Sequence, residues 1–211
     1  MNKRLNTGLL AKSVLCAALL ASLQGCVGLM VGGAVAGAAA TVDRRTLGAQ
    51  TEDKAISLKA DLRLPKVAGK DAHVNASSYN RRVLLTGEVP DEAAKAAVEK
   101  ETMAIDGVVS VANELTIGSP ATYTARSNDA LITAKVKASL IDMKTISATS
   151  FKVVTDKSVV YLMGRVTPRE GQVAGDVARS VGGVAKVVKI FDYITEDEMR
   201  ALTPGSSKVQ L

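Results

Sequence analysis

Arg82-Val-Leu-Leu-Thr-Gly-Glu-Val89 and Val159-Val-Tyr-Leu-Met-Gly-Arg-Val166 are two versions of one apolar stretch in this chain of 211 residues. Each version has a glycine at its sixth position. A second matching pair follows, Gly107-Val-Val-Ser-Val-Ala-Asn113 after the first stretch and Gly183-Val-Ala-Lys-Val-Val-Lys189 after the second. A repeat with so long a period predicts two tandem small domains and not a solenoid.

The first copy of the repeat has the pattern helix, strand, strand, helix, strand. Leu58 and Leu62 are four residues apart, which predicts that both lie on one face of the first helix. In the second helix, Ala94, Ala97 and Val98 are expected to face inward. The predicted elements are a helix over 56–62, strands over 73–78 and 82–89, a helix that opens at 90–92, and a strand over 108–117.

The second copy has the same order of elements. Asn128 or Asp129 is expected to cap its first helix, because short polar side chains accept hydrogen bonds from the first turn. Ile132, Val136 and Leu140 form the buried face of this helix at four-residue spacing. The other predicted elements are strands over 151–154 and 159–166 around a turn at 155–158, a helix opened by the capping box 167–170 and ended by 182–183, and a strand over 184–193.

These patterns predict an α+β fold with two αββαβ domains. The first domain is expected over residues 47–118 and the second over residues 127–195. Residues 119–126 are predicted to be a linker, and residues 196–211 a C-terminal tail.

The N-terminus has the pattern of an export signal. Lys3 and Arg4 give a positive start, and an apolar run extends over residues 13–23. The run ends at Leu23-Gln24-Gly25-Cys26, which resembles the lipobox of bacterial lipoproteins. Residues 1–25 are therefore interpreted as a cleaved signal peptide, with Cys26 as the lipid anchor. Residues 26–46 are the lipidated N-terminus and a spacer rich in glycine and alanine.

A retained signal anchor is the alternative interpretation of the N-terminus. Residues 13–42 contain no charged side chain, and about 20 apolar residues suffice to span a bilayer. Two glycine pairs, Gly28 with Gly32 and Gly33 with Gly37, also match the pattern of helices that associate in membranes. Against this, a segment so rich in glycine and alanine is a poor membrane span and a plausible spacer.

The composition excludes several kinds of site. The chain has two cysteines, Cys16 in the leader and Cys26 at the lipobox, so the mature chain has no free thiol. Its one histidine, His73, is expected at a strand start with an ordinary surface role. With so few ligand and base side chains we expect no catalytic residues, no metal site and no cofactor. A nucleic-acid partner is not expected either, because the chain has no tryptophan and few aromatic side chains for base stacking.

Positive charge is concentrated in the second half of the mature chain. Residues 43–118 contain 11 Lys and Arg against 12 Asp and Glu, whereas residues 119–195 contain 11 against 6. Basic surface near a bilayer favours anionic headgroups. An ordinary solvated basic face is the alternative explanation.

The strand stretches, the helices after them and the Gly-Val-x-x-Val strand starts together resemble the BON domain, a small αββαβ module of bacterial envelope proteins. The whole chain resembles the group of outer-membrane lipoproteins with two BON domains, of the DolP (YraP) type. Asp43-Arg44-Arg45-Thr46 after the spacer and Ser127-Asn128-Asp129 at the second copy match that group. Val27 after the anchor cysteine, where aspartate favours inner-membrane retention in enteric bacteria, also points to the outer membrane.

The resemblance implies a non-enzymatic protein that supports outer-membrane integrity and faces the periplasm, with exposure on the cell surface left open. It further implies that the first helix of the second domain binds anionic phospholipid, of the phosphatidylglycerol kind. Relatives can have an aromatic residue where this chain has Leu131, which retains apolar area but lacks the amphipathic ring. The residues carried over as lipid contacts are Leu131, Lys135, Lys137, Ser139 and Lys144.

A second hypothesis uses the same domains differently. The chain would be an adaptor, tethered through Cys26, whose domains bind envelope proteins such as an assembly machine. The basic second half favours the lipid hypothesis, while the spacer and the repeats are compatible with both.

Overall fold

The computed structural model describes residues 43–202. The predicted signal peptide, Cys26, the spacer up to residue 42 and the last nine residues of the tail lie outside the described residues. The described residues lie within one compact unit, Thr41–Leu211. Both copies of the repeat are therefore parts of the same unit.

The first domain has the predicted order of elements. They are helix α1 (Leu47–Ala68), strands β1 (His73–Tyr79) and β2 (Arg82–Val89), helix α2 (Glu92–Met103), and strands β3 (Ser110–Asn113) and β4 (Thr116–Ile117). Strand β1 pairs antiparallel with β2, and β3 and β4 both pair parallel with β2. The strand predicted over 108–117 is thus in two pieces, because Leu115 turns into the core between them.

The second domain repeats this arrangement with a continuous last strand. Its elements are helix α3 (Tyr123–Asp142), strands β5 (Phe151–Asp156) and β6 (Val159–Val166), helix α4 (Pro168–Ser180) and strand β7 (Lys186–Tyr193). Strand β6 pairs antiparallel with β5 and parallel with β7. A short helix α5 (Glu196–Leu202) follows, so part of the stretch predicted as a tail is helical.

The first helix is longer than the predicted 56–62, and the face that Leu58 and Leu62 share is the exposed one. Helix α1 is 22 residues long, and it buries Ile56, Ala60 and Leu64. Leu58 and Leu62 are 61% and 63% exposed. Two registers of four-residue spacing run along this helix, and the one that contains the small Ala60 packs against the sheet.

The predicted start of α3 is also wrong. The helix begins at Tyr123, inside the stretch assigned to a linker, and Thr122 is its N-cap residue. The Thr122 hydroxyl accepts a hydrogen bond from the Ala125 backbone N–H at 3.2 Å. Asn128 and Asp129 therefore lie within the helix, and Asp129 is buried against the hairpin.

Buried carboxylates hold the first helix of each domain to its hairpin turn. Asp53 in α1 accepts two backbone N–H bonds from the β1–β2 turn, at 2.7 and 2.8 Å. Asp129 in α3 accepts two from the β5–β6 turn, at 2.9 and 2.8 Å. All the donors have positive φ, the conformation of a tight hairpin turn, although none is glycine. The turn residues are Asn80, Arg81, Lys157 and Ser158.

The two domains pack through the sheet faces that their own helices leave uncovered. Alternate side chains of a strand point to opposite faces, so each central strand supplies one face to its own core and one to the partner domain. Tyr79 and Leu84 of the first domain form a buried cluster with Tyr161 and Met163 of the second. The Tyr79 hydroxyl also donates to the Ser150 carbonyl at 3.2 Å across the interface.

A buried ion pair fixes the start of the described chain to the second domain. Arg44 donates from both terminal guanidinium nitrogens to the Glu170 carboxylate, at 2.7 and 2.8 Å. Glu170 also accepts from the Thr167 backbone N–H at 3.0 Å, while the Thr167 hydroxyl accepts from the Glu170 N–H, which confirms the predicted capping box of α4. The segment that leads into the first domain is thus held by the second.

Candidate functional site

Helix α3 is oriented by its buried face. Ile132, Val136 and Leu140 are in the core of the second domain, as predicted. Asp129 adds the hydrogen bonds to the β5–β6 turn, so the helix cannot easily rotate about its axis. The opposite side of α3 consequently points away from its own domain.

The outward side of α3 has an exposed apolar row. Leu131 is 61% exposed and Ile141 is 69% exposed. Ala134 and Ala138 lie between them and are exposed as well. Spacings of three, four and three residues place side chains on one side of a helix. We call Leu131, Ala134, Ala138 and Ile141 the α3 outer row.

The structure separates the five predicted lipid contacts. Lys135 is exposed beside Leu131, one turn along the helix, and Ser139 lies one turn further but is half-buried. Lys144 is exposed beyond the end of the helix. Lys137 borders the other edge of the α3 outer row, three residues after Ala134, where it lines a groove against the first domain. Leu131 and Lys135 therefore form a contiguous pair at one edge of the row, while Lys137 lies at the edge that meets the groove.

Ile141, Ala134 and Ala138 were missed in the sequence analysis. Their spacing from Leu131 was a readable signal, since it has the period of one helix side. The lysines beside Leu131 point to a basic flank, and a prediction based on that flank leaves out the exposed apolar residues beyond Lys135. Tyr123, which is exposed at the start of α3, was missed because the helix was expected to begin later.

A groove of about 560 Å³ lies between the first helices of the two domains. We call it the interhelix groove. Its walls include Lys54 and Leu58 of α1, Lys137 of α3, and Phe151 and Lys152 of β5.

Lys152 is partly withdrawn from solvent at the interhelix groove. Burial lowers the pKa of its ammonium, and the nearby Asp53 carboxylate acts in the opposite direction. Its Nζ donates to the Ser78 carbonyl at 3.2 Å. The Asp53 carboxylate forms an ion pair with Arg45, whose Nη1 lies 2.7 Å from it.

The region around His73 contains a structural ion pair between Glu88 and Lys157. Nδ1 of His73 lies 3.9 Å from Oε2 of Glu88, which is fully buried. The Glu88 carboxylate is closer to Lys157 of the second domain, with 3.0 Å between Oε1 and Nζ. Across residues 43–202 no group of three or more His, Cys, Asp or Glu side chains is placed to hold a metal ion. In the same range no helix has both the length and the apolar character needed to cross a bilayer.

Comparison with known proteins agrees with the repeat. Residues 53–119 and 128–194 each match the BON domain family. The chain is 36% identical over 174 residues to the outer membrane lipoprotein DolP of Haemophilus influenzae, covering 82% of this chain and 90% of that protein. It is 32% identical over 155 residues to a 21 kDa hemolysin of Actinobacillus pleuropneumoniae, covering 72% and 80%.

One solved structure that aligns is the C-terminal domain of CdsD, from the Type III secretion system of Chlamydia trachomatis. The alignment has a TM-score of 0.29 and 8% identity, and it covers 72% of this chain and all of that domain. The family matches cover most of the described residues, and each match contains one αββαβ unit of the fold. The chain therefore belongs to the BON domain family and contains two BON domains in tandem.

Proposed function

We propose that this chain is a non-enzymatic outer-membrane lipoprotein, anchored through Cys26, that supports the integrity of the outer membrane. Its second BON domain binds anionic phospholipid through the outward side of α3. The name of the Haemophilus relative supports the location, and the Leu23-Gln24-Gly25-Cys26 motif supports the anchor. On this proposal the domains face the periplasm, and a surface-exposed orientation is the alternative.

The observation that carries the lipid proposal is the α3 outer row next to Lys135. Exposed aliphatic side chains on one helix side can enter the boundary between headgroups and acyl chains, while a neighbouring ammonium meets a phosphate. Lys135 and Lys144 supply that positive charge on the exposed surface. A helix with this surface is suited to lie along a bilayer and not across it.

The expected strength of this contact is modest. Complete burial of a leucine or isoleucine side chain contributes about 1.5–3 kcal/mol, and each suitably placed lysine about 1 kcal/mol. Part of that gain is lost because both aliphatic side chains are already partly covered in the free protein. A weak contact becomes effective when an acyl anchor holds the domain near the bilayer, since tethering raises the local concentration of the partner.

Tryptophan fluorescence tests the position of α3 at the membrane. The chain has no native tryptophan, so Leu131→Trp or Ile141→Trp introduces a single reporter. With vesicles that contain phosphatidylglycerol, both reporters are expected to shift their emission to shorter wavelength, because the indole enters a less polar environment. Purely zwitterionic vesicles are expected to give no shift.

Lys100→Trp is the matched control, since Lys100 is exposed on α2 of the first domain, outside the proposed contact. Its emission is expected to remain unchanged with either vesicle. Equal shifts at all three positions would indicate non-specific adsorption. No shift at Leu131→Trp and Ile141→Trp would contradict the proposal and favour the tethered protein adaptor.

A further inference from the structure

The cationic side chains of the interhelix groove are not balanced by its carboxylates. Arg45 and Asp53 line the groove and are paired with each other. Of the remaining lining residues, three lysines face one carboxylate, Asp61. These lysines are Lys54, Lys137 and Lys152. Within residues 43–202 none of them forms an ion pair. The lining residues therefore have a surplus of two positive charges, one of which is offset by the Asp43 carboxylate on Arg45. The remaining positive charge favours an anion in the groove.

Lys152 is the least exposed of the three lysines and has N–H donors to offer an anion. An ammonium group has three N–H donors, and one of them is used by the Ser78 carbonyl at 3.2 Å. The group is partly buried between the domains, where a charge needs polar partners, and the nearby Asp53 carboxylate is bound by Arg45. A phosphate oxygen at this position would provide both the charge and the acceptors.

The rim of the groove has the chemistry of a lipid contact. Leu58 and Leu62, both more than half exposed, lie on the outward side of α1, and Leu58 lines the groove itself. Lys54 and Lys66 extend the same side at four-residue spacing, and both are exposed. In such a row, the two leucines can contact an acyl chain while a lysine at its end contacts the anionic headgroup of the same lipid.

We propose that the interhelix groove binds the phosphate of an anionic phospholipid headgroup, with Lys54, Lys137 and Lys152 as its cationic contacts. Leu58 and Leu62 of the first domain contact the acyl portion of the same lipid. This inference rests on the proposed function and extends it, because it assigns a lipid site to the first domain and to the interface as well as to α3.

The test is an amide NMR titration of the isotope-labelled full chain in nonionic detergent micelles. The probes are dihexanoyl phosphatidylglycerol, dihexanoyl phosphatidylcholine and inorganic phosphate. We expect saturable shifts with phosphatidylglycerol at the amides of Leu58 and Lys152. The zwitterionic lipid is expected to give much smaller shifts at the same amides.

Charge-neutral variants then identify the contacts. Lys54→Gln and Lys152→Gln are each expected to weaken the apparent affinity at the groove about fivefold. Lys186→Gln, the same change at an exposed position on β7, is expected to leave it unaltered. Lys54 is exposed on α1, so its replacement tests the site even if Lys152→Gln disturbs the domain interface.

The outcomes separate this inference from the proposed function. Shifts confined to the α3 outer row and Lys135, with the amides of Lys54, Leu58 and Lys152 unperturbed, would overturn the groove site and leave lipid binding by α3 intact. Equal shifts with inorganic phosphate would overturn the lipid as occupant. Absence of lipid-induced shifts anywhere would overturn both proposals.

Discussion

Replacing Gly87 with alanine is expected to lower the free energy of unfolding by about 3 kcal/mol. Gly87 has φ +113°, a conformation that residues with a Cβ rarely adopt. A Cβ at this position would lie 2.0 Å from the carbonyl oxygen of His73 on the neighbouring strand. The obstacle is backbone, so the β1–β2 pairing itself would have to open. Chemical denaturation followed by circular dichroism measures the change.

Alanine variants at Gly164 and Gly182 provide the comparisons for this prediction. Gly164 is the repeat equivalent of Gly87, and an added Cβ would lie 2.6 Å from the Ser150 carbonyl oxygen without the positive φ. We expect Gly164→Ala to cost less than Gly87→Ala. Gly182 has no atom within 4 Å of an added Cβ, so Gly182→Ala should change stability by about 0.5 kcal/mol or less. Equal stability of the Gly87 and Gly182 variants would contradict the strand register.

Arg44→Met is expected to destabilise the protein by about 3–5 kcal/mol. The reason is that Glu170 would remain as a buried carboxylate without its guanidinium partner, which now donates two hydrogen bonds at 2.7 and 2.8 Å. Arg179→Met is the control, because its ion pair with Asp176 is exposed and should contribute about 1 kcal/mol or less. A loss as small as that of the control would mean that the buried Arg44–Glu170 ion pair is not formed in solution.

The Arg44–Glu170 pair also predicts a dependence on pH. Burial alone would raise the pKa of Glu170, but hydrogen bonds from Arg44 and from the Thr167 N–H outweigh burial and lower it. A carboxylate whose pKa is lower in the folded state stabilises that state above its unfolded pKa. This contribution is lost as the pH falls through the folded pKa. Arg44→Met should therefore lose less stability than the native chain on acidification below about pH 4.

The repeat made much of the fold predictable. Its glycine-containing strands became β2 and β6, and the Thr167–Glu170 capping box gave the start of α4 directly. The first helices were harder, because Leu58 and Leu62 have the same spacing as the residues that α1 buries. Periodicity fixes the helix but cannot decide between two apolar registers, since the choice depends on the sheet that the helix covers.

A polar residue near the start of α3 led to a wrong prediction of where that helix begins. Asp129 resembles an N-cap residue in sequence, yet its carboxylate binds the N–H groups of a turn far along the chain. Asp53 of the first domain binds the N–H groups of the β1–β2 turn in the same way. Such a role depends on the hairpin that faces the helix, and local sequence does not contain it.

The candidate site was predictable only in part. Leu131 and Lys135 are exposed and adjacent, as a lipid contact requires. Lys137 was grouped with them by its charge, but the helix turns it toward the interhelix groove. The groove itself exists because the uncovered sheet faces of the two domains pack together, through residues such as Leu84 and Met163. That packing joins surfaces that are far apart in sequence.

Vesicle co-sedimentation of a soluble form that begins after Cys26 tests lipid recognition most directly, because without the acyl anchor any binding must come from the domains. Circular dichroism first establishes that this form is folded. We expect it to pellet with vesicles that contain phosphatidylglycerol, to remain in solution with zwitterionic vesicles, and to lose binding when Leu131 and Ile141 are both replaced by glutamate. Failure to pellet with either vesicle would contradict lipid recognition by the second BON domain.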